Sequence, residues 1–127
     1  MKSNPVGWFE IYVKDMERAR AFYEAVFAGK LTALEGPDPS EVSMWTFPME
    51  HKVSGAAGAL VTMKGGQQPS GNGTIVYFTC DDCAVEEKRV PAAGGKIMKE
   101  KFSIGQYGFI SLVIDLDGNV IGLHSMK

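Results

Sequence analysis

A strand, an aspartate, a helix and a glycine stop occur twice in the same order, and the two aspartates, Asp15 and Asp82, lie 67 residues apart. Recurrence at that distance marks one supersecondary unit copied within the chain, and it constrains the fold more than any other feature. In the first copy, residues 7–13 are rich in aromatic and β-branched types and read as a strand. Asp15 is placed to cap a helix, its carboxylate accepting from the free backbone N–H groups of the first turn. Ala19, Phe22, Tyr23, Val26 and Phe27 follow at i, i+3, i+4 spacing, which predicts one apolar stripe of an amphipathic helix. Gly29 is expected to end that helix in the left-handed conformation. Strands are then expected over residues 30–34, 42–47 and 58–63, with a loop at 35–40 and a turn holding His51 and Gly55.

Residues 64–73, with four glycines and one proline, read as a linker. Beyond it the order begins again. A strand is expected over residues 74–80, a cap at Asp82, a helix over 84–90 and its stop at Gly94-Gly95. Pro91 fits badly, because it removes a backbone donor and is expected to end or kink the helix early. Lys96-Ile97-Met98 opens the next strand, and the run Lys96, Lys99, Lys101 reads as a solvated edge that discourages stray pairing. Residues 109–114 and 119–124 form the closing pair around Asp115-Leu116-Asp117-Gly118-Asn119, where Asp-Gly is a strong tight-turn signal. The expected fold is α+β: two βαβββ modules, residues 5–63 and 74–127, forming a curved mixed sheet around a cavity within a single domain of residues 1–127.

Composition removes several function classes. A chain of 127 residues suits one compact domain with a real core. Its net charge of −2 provides no basic footprint for nucleic acid or an anionic membrane surface. No apolar run approaches the roughly 20 residues of a membrane span, and Met1 to Pro5 carry no signal-type stretch, so a cytoplasmic protein is expected. Two cysteines do not make a disulfide scaffold. They form Cys80-Asp81-Asp82-Cys83 at a strand-to-helix junction, where the interposed acids are expected to raise the thiol pKa values and oppose redox chemistry. A second C-x-x-C, which a zinc site of this type needs, is missing from the sequence.

Tyr12-Val13-Lys14-Asp15 running into Ala19-Arg20-Ala21-Phe22-Tyr23 resembles the strand–Asp–helix opening of the vicinal oxygen chelate superfamily, which includes glyoxalase I, extradiol dioxygenases and bleomycin- and fosfomycin-resistance proteins. Asp115-Leu116-Asp117-Gly118-Asn119 is similar to its Asp-Pro-Asp-Gly-Asn hairpin with Leu for Pro, and Ala92-Ala93-Gly94-Gly95 to the end of its second helix. The lactoylglutathione lyase-related branch is the nearest in character. The resemblance implies a divalent metal gripped by His, Gln or Glu from the first and last strand of each module, open to substrate oxygens. Counted from the two aspartates and the last hairpin, those places fall on Trp8, Ala59, Ile75 and Gly122. None of these side chains can bind a hard or borderline cation, so neither metal nor other cofactor is expected.

Strand side chains alternate faces, so residues two along from a ligand position share its face. Trp8, Glu10 and Tyr12 are thereby expected inward on the first strand, Ile75, Tyr77 and Thr79 on the fifth, and Val120, Gly122 and His124 on the last. Glu10, Tyr77 and His124 suggest a displaced polar layer facing one pocket, with Trp8 and Tyr12 beside it as further ligand contacts. Glu10 needs a hydrogen-bonding partner or a raised pKa to lie inward; it is the candidate catalytic base, or the anchor of a cationic or hydroxylated ligand. The plain alternative has Glu10 meeting water at a cavity mouth and His124 fraying with the C-terminus. Met44, Trp45 and Phe47 are expected either to line the pocket or to sit in the core. His51 reads as a solvent-facing loop residue, and Gly105-Gln106-Tyr107-Gly108 as an ordinary loop or a flap. Three functions follow: a metal-independent binder of small molecules, expected as a homodimer; a metal-free lyase or isomerase using Glu10; and a glyoxalase or dioxygenase with an unusual ligand set of Glu10, His124 and Tyr77.

Overall fold

The computed structural model describes residues 4–35, 41–50, 52, 54–65 and 73–127. The chain divides into two compact units, residues 8–74 and residues 75–127 with the segment up to Gly7. The first βαβββ module runs β1 (Val6–Tyr12), α1 (Met16–Phe27), β2 (Thr32–Leu34), β3 (Val42–Thr46) and β4 (Ala57–Met63). Its strands lie in the order β2-β3-β4-β1. β1 and β4 are parallel with Glu10 opposite Ala59, and the other two pairings are antiparallel. The second module runs β5 (Thr74–Thr79), α2 (Cys83–Ala92), β6 (Lys96–Ser103), β7 (Phe109–Ile114) and β8 (Val120–Ser125), ordered β5-β8-β7-β6. β5 and β8 are parallel with Tyr77 opposite Gly122, and the rest are antiparallel. The fold is α+β, and the repeated order seen in the sequence is its organising unit.

Both aspartate caps form: Asp15 accepts from Arg18 N at 3.2 Å and Asp82 from Ala84 N at 3.0 Å. The face that α1 turns to its sheet differs from the expected stripe. Phe22, Val26 and Phe27 are 60%, 56% and 68% exposed, and no residue of α1 is fully buried. The half-buried positions are Met16, Ala19, Arg20, Tyr23 and Glu24, a helical face rotated away from Phe22 and Val26. Specific partners hold this phase: Arg20 lies over the Trp45 ring at 3.4 Å, Tyr23 meets Phe47 edge-on at 5.7 Å, and Glu24 accepts from Leu31 N at 2.9 Å. The helix stop also differs. Ala28, with φ 55°, takes the left-handed position expected of Gly29.

α2 runs through Pro91 to Ala92 rather than stopping early. In the last turn the missing proline N–H removes one ladder bond, while Ala93 N and Gly95 N both reach Val90 O and close the end. Gly94, at φ 100°, provides the stop. Beneath α2, Cys83, Val113 and Leu123 form a buried cluster with Phe78, Val90, Phe109 and Ile121 packed on it. Glu87 ties the helix to the sheet, accepting from Ser111 Oγ at 2.7 Å and from Lys101 N at 2.6 Å. Lys101 is therefore more than edge decoration, since its Nζ also pairs with the capping Asp82 at 2.8 Å. In the last hairpin Asp115 accepts from Asp117 N and from the backbone and side-chain nitrogens of Asn119, and Gly118 has φ 86°.

Candidate functional site

In the first module, Phe9 contacts Phe47, whose ring meets Tyr23 of α1, so odd-numbered β1 residues face the helix. Trp8, Glu10 and Tyr12 consequently share the opposite face. Glu10 is only 5% exposed there. It finds two donors on its own strand: Trp8 Nε1 to Oε2 at 3.1 Å and Tyr12 OH to Oε1 at 2.8 Å. Two hydrogen bonds offset much of the cost of removing its carboxyl group from water. Around it the sheet registers place Ala59 opposite Glu10, Thr46 opposite Ala59 and Met44 opposite Val61 on the same face. Trp45 and Phe47 belong to the other face, against α1, and are not available to a ligand beside Glu10.

In the second module the equivalent of Glu10 is Tyr77, 5% exposed and opposite Gly122. A Cβ added at Gly122 would come within 2.2 Å of the Tyr77 ring. In both modules a small closing-strand residue thus lies opposite a longer opening-strand side chain, and at Gly122 the Tyr77 ring leaves no room for a Cβ. His124 does not fray. It lies in β8, half-buried, with Nε2 at 2.6 Å from Tyr107 O; because the acceptor is a carbonyl, Nε2 carries the hydrogen. That contact pins the 3₁₀ turn Gly105–Tyr107, which is anchored rather than a loose flap. The sequence pattern located Glu10, Tyr77 and His124 on their strands but missed Tyr107, whose contribution is a backbone carbonyl and leaves no residue-type signal.

At the four places where the resemblance expects metal ligands, the side chains do not fit a divalent ion. The Trp8 ring nitrogen is a donor bonded to Glu10, Ala59 and Ile75 are buried hydrocarbon, and Gly122 is covered by Tyr77. Among the described residues no group of three or more His, Cys, Asp or Glu is arranged to hold a metal ion. Cys80 and Cys83 are both free thiols. Burial, and next the neighbouring Glu86, push the Cys80 thiol up to about 11. The acids of the motif are not the cause, because Asp82 is committed to Lys101 and Ala84 N, which hold its carboxyl below the usual aspartate value. His51 lies outside the described residues.

The sequence matches the Glyoxalase/Bleomycin resistance protein/Dioxygenase superfamily over residues 6–123. The chain belongs to that superfamily. A relative from Mycobacterium bovis, named "Putative glyoxylase CFP32", is 29% identical over 120 residues, covering 92% of this chain and 44% of its own length; the Mycobacterium tuberculosis protein of that name matches equally. The chain therefore spans less than half of those curated relatives. Among solved structures, the hypothetical protein BH1468 from Bacillus halodurans aligns with a TM-score of 0.71 at 16% identity, covering 99% of this chain and 96% of that one. Methylmalonyl-CoA epimerase from Mycobacterium tuberculosis aligns with a TM-score of 0.68 at 13% identity, covering 97% and 88%. At these identities the superfamily likeness is one of fold. No helix among the described residues is long and apolar enough to cross a membrane.

Proposed function

We propose that the protein binds a small organic molecule at the face bearing Trp8, Glu10 and Tyr12, without the divalent metal its superfamily's enzymes use. The observation that supports this most is the buried Glu10 carboxylate held in place by Trp8 Nε1 and Tyr12 OH. A carboxylate so oriented is a strong acceptor beside two aromatic rings, a combination suited to a ligand carrying a cationic or hydroxyl group on an apolar body. Trp8 is the stacking surface, and Tyr77 and His124 are proposed as further ligand contacts within the second module. The working form is a cytoplasmic homodimer, of the lactoylglutathione lyase-related branch.

A second reading uses the same carboxylate as the base of a metal-free isomerase or lyase. It draws on the named activities of the similar proteins, a glyoxylase and an epimerase. A third, metal-dependent reading needs a ligand set built on Glu10, His124 and Tyr77; here His124 Nε2 is already spent on Tyr107 O.

Titration with benzylamine and with benzyl alcohol, followed by tryptophan fluorescence and calorimetry, tests the first reading. Saturable binding is expected for the wild type and for Trp45→Phe, and is lost in Glu10→Gln and Trp8→Phe. Binding of neither probe, or binding indifferent to Glu10→Gln, overturns the reading. Turnover abolished by Glu10→Gln with binding intact favours the second.

A further inference from the structure

We propose that the sheet of the second module carries, on its side away from α2, a binding site for a small organic carboxylate with an apolar body, and that Lys99 is its anchor. The site extends the ligand contact proposed for Tyr77 and shares no residue with Trp8, Glu10 or Tyr12. Phe109, Val113, Ile121 and Leu123 pack around Cys83 beneath α2, so strand alternation turns Ile110, Leu112 and Ile114 the other way. Those three are only half-buried, whereas Ser111 and Val113 between them are fully buried. Three aliphatic side chains in a row thus remain open to solvent, the apolar floor that a small-molecule site needs.

The charge beside that floor comes from the lysine run, which bulges in β6 divide between the two faces. Lys101 lies on the α2 side, with its Nζ on Asp82 at 2.8 Å. Lys99 pairs with Leu112 and Phe102 with Ile110, three steps along β6 against two along β7, so the bulge brings Lys99 and Phe102 to the same face. There Lys99 Nζ stands 4.1 Å from the centre of the Phe102 ring, and Ser111 Oγ holds Lys99 O at 3.3 Å. An ammonium held in this way gives up less freedom on meeting an anion than a free surface lysine does. Lys96, opposite Ile114, adds a second cation. Among the described residues that the pairings place on this face, none is acidic. Glu87 is turned to the α2 side by Ser111 and Lys101 N, and Glu100 falls within the bulge, outside the paired positions.

The pairings also set the size and body of the ligand. Lys99, Leu112, Gly122 and Tyr77 form one row across β6, β7, β8 and β5. At about 4.8 Å per strand the row spans roughly 14 Å between its end Cα atoms. The Tyr77 ring covers Gly122, so the row offers a cation, an aliphatic floor and an aromatic wall in that order. A carboxylate on Lys99, with a flat ring over Leu112 and its edge toward Tyr77, meets all three. A cationic ligand of the kind proposed for Glu10 meets only like charge here. His124 is not a second anchor through Nε2, whose hydrogen is committed to Tyr107 O.

Calorimetric titration at low ionic strength, with amide NMR of the labelled protein, tests this with 4-phenylbutyrate as the probe. Saturable binding with a Kd of about 1 mM or tighter is expected, with the shifted amides on β6 and β7. 4-Phenylbutylamine, the same body with the opposite charge, is expected to bind at least about 10-fold more weakly. Lys99→Gln should cost the carboxylate at least about 10-fold, the effect of losing a charge-assisted hydrogen bond, while Lys99→Arg restores most of it. Lys88→Gln, which removes the same charge from an exposed position on α2, should change nothing. Circular dichroism melts should hold in all three variants, since both lysines are solvent-exposed. Absent binding, equal binding of the amine, or binding indifferent to Lys99→Gln overturns the proposal. Carboxylate binding lost in Glu10→Gln overturns its placement in the second module. Carboxylate binding kept while benzylamine fails to bind supports this site and overturns the Glu10 reading alone.

Discussion

The two modules start from one plan and diverge instructively at one pair of equivalent positions. In the first, Glu10 stands opposite Ala59 and is satisfied by Trp8 and Tyr12; in the second, Tyr77 stands opposite Gly122 and fills the space a side chain would need. Each closing strand has a small residue where the superfamily resemblance expects an acid, and each opening strand has a large residue two steps beyond the place expected to hold its ligand. The copies spend that exchange differently. The first gains an oriented carboxyl group, and the second gains packed aromatic volume. A duplicated scaffold can thus hold its register while its two halves place different side chains at the same step of the sheet.

Restoring an acid should break the second half most severely. Gly122→Glu drives a side chain into the Tyr77 ring, and a loss of roughly 3 kcal/mol or more is expected by denaturant unfolding. Tyr77→Ala is expected to recover part of that loss in a double-mutant cycle, because it removes the obstructing ring. In the first half, Glu10→Leu deprives Trp8 Nε1 and Tyr12 OH of this acceptor, at an expected cost of about 1–3 kcal/mol in the same assay. If Glu10→Leu costs as much as Gly122→Glu, the contrast between a polar and a packed half fails.

The helices sharpen the same contrast with smaller effects. Ala28→Gly should stabilise by about 0.5–1 kcal/mol, since Ala28 holds φ 55° at the end of α1. In the second half the ionisable groups set the pH response. Asp82 titrates below its ordinary 3.8 because Lys101 and Ala84 N favour the charged form, so its contribution is present above that value and lost as pH falls through the lowered one. Lys101→Met should flatten this acid limb. Cys80 runs the other way: its thiol is raised from 9.0 to about 11, so its contribution is present below pH 9 and lost between 9 and 11. Thiol alkylation at pH 8 should accordingly be slow at Cys80.

Much of this fold was legible because its signals are local. The two aspartate caps, the Asp-Gly hairpin and the 67-residue recurrence each act within a few residues or by copying. The α1 face was not legible, because apolar spacing alone cannot show that Arg20 would lie on Trp45 or that Glu24 would cap Leu31 N across a loop. The stop at Ala28 was hidden for a related reason, since glycine merely tolerates the left-handed conformation and its neighbour took it. At the site, strand alternation placed Trp8, Glu10 and Tyr12 on one face, while the smallness of Gly122 acquires a reason only once the parallel register sets Tyr77 opposite it.

The central claim is that hydrocarbon, indole and hydrogen replace a metal's ligands while Glu10 supplies the polar chemistry. Calorimetric titration of the chelator-treated protein with Zn²⁺, Ni²⁺, Mn²⁺ and Fe²⁺ addresses it directly. No saturable binding near one ion per chain is the expected result. Stoichiometric binding that disappears in Glu10→Gln would contradict it.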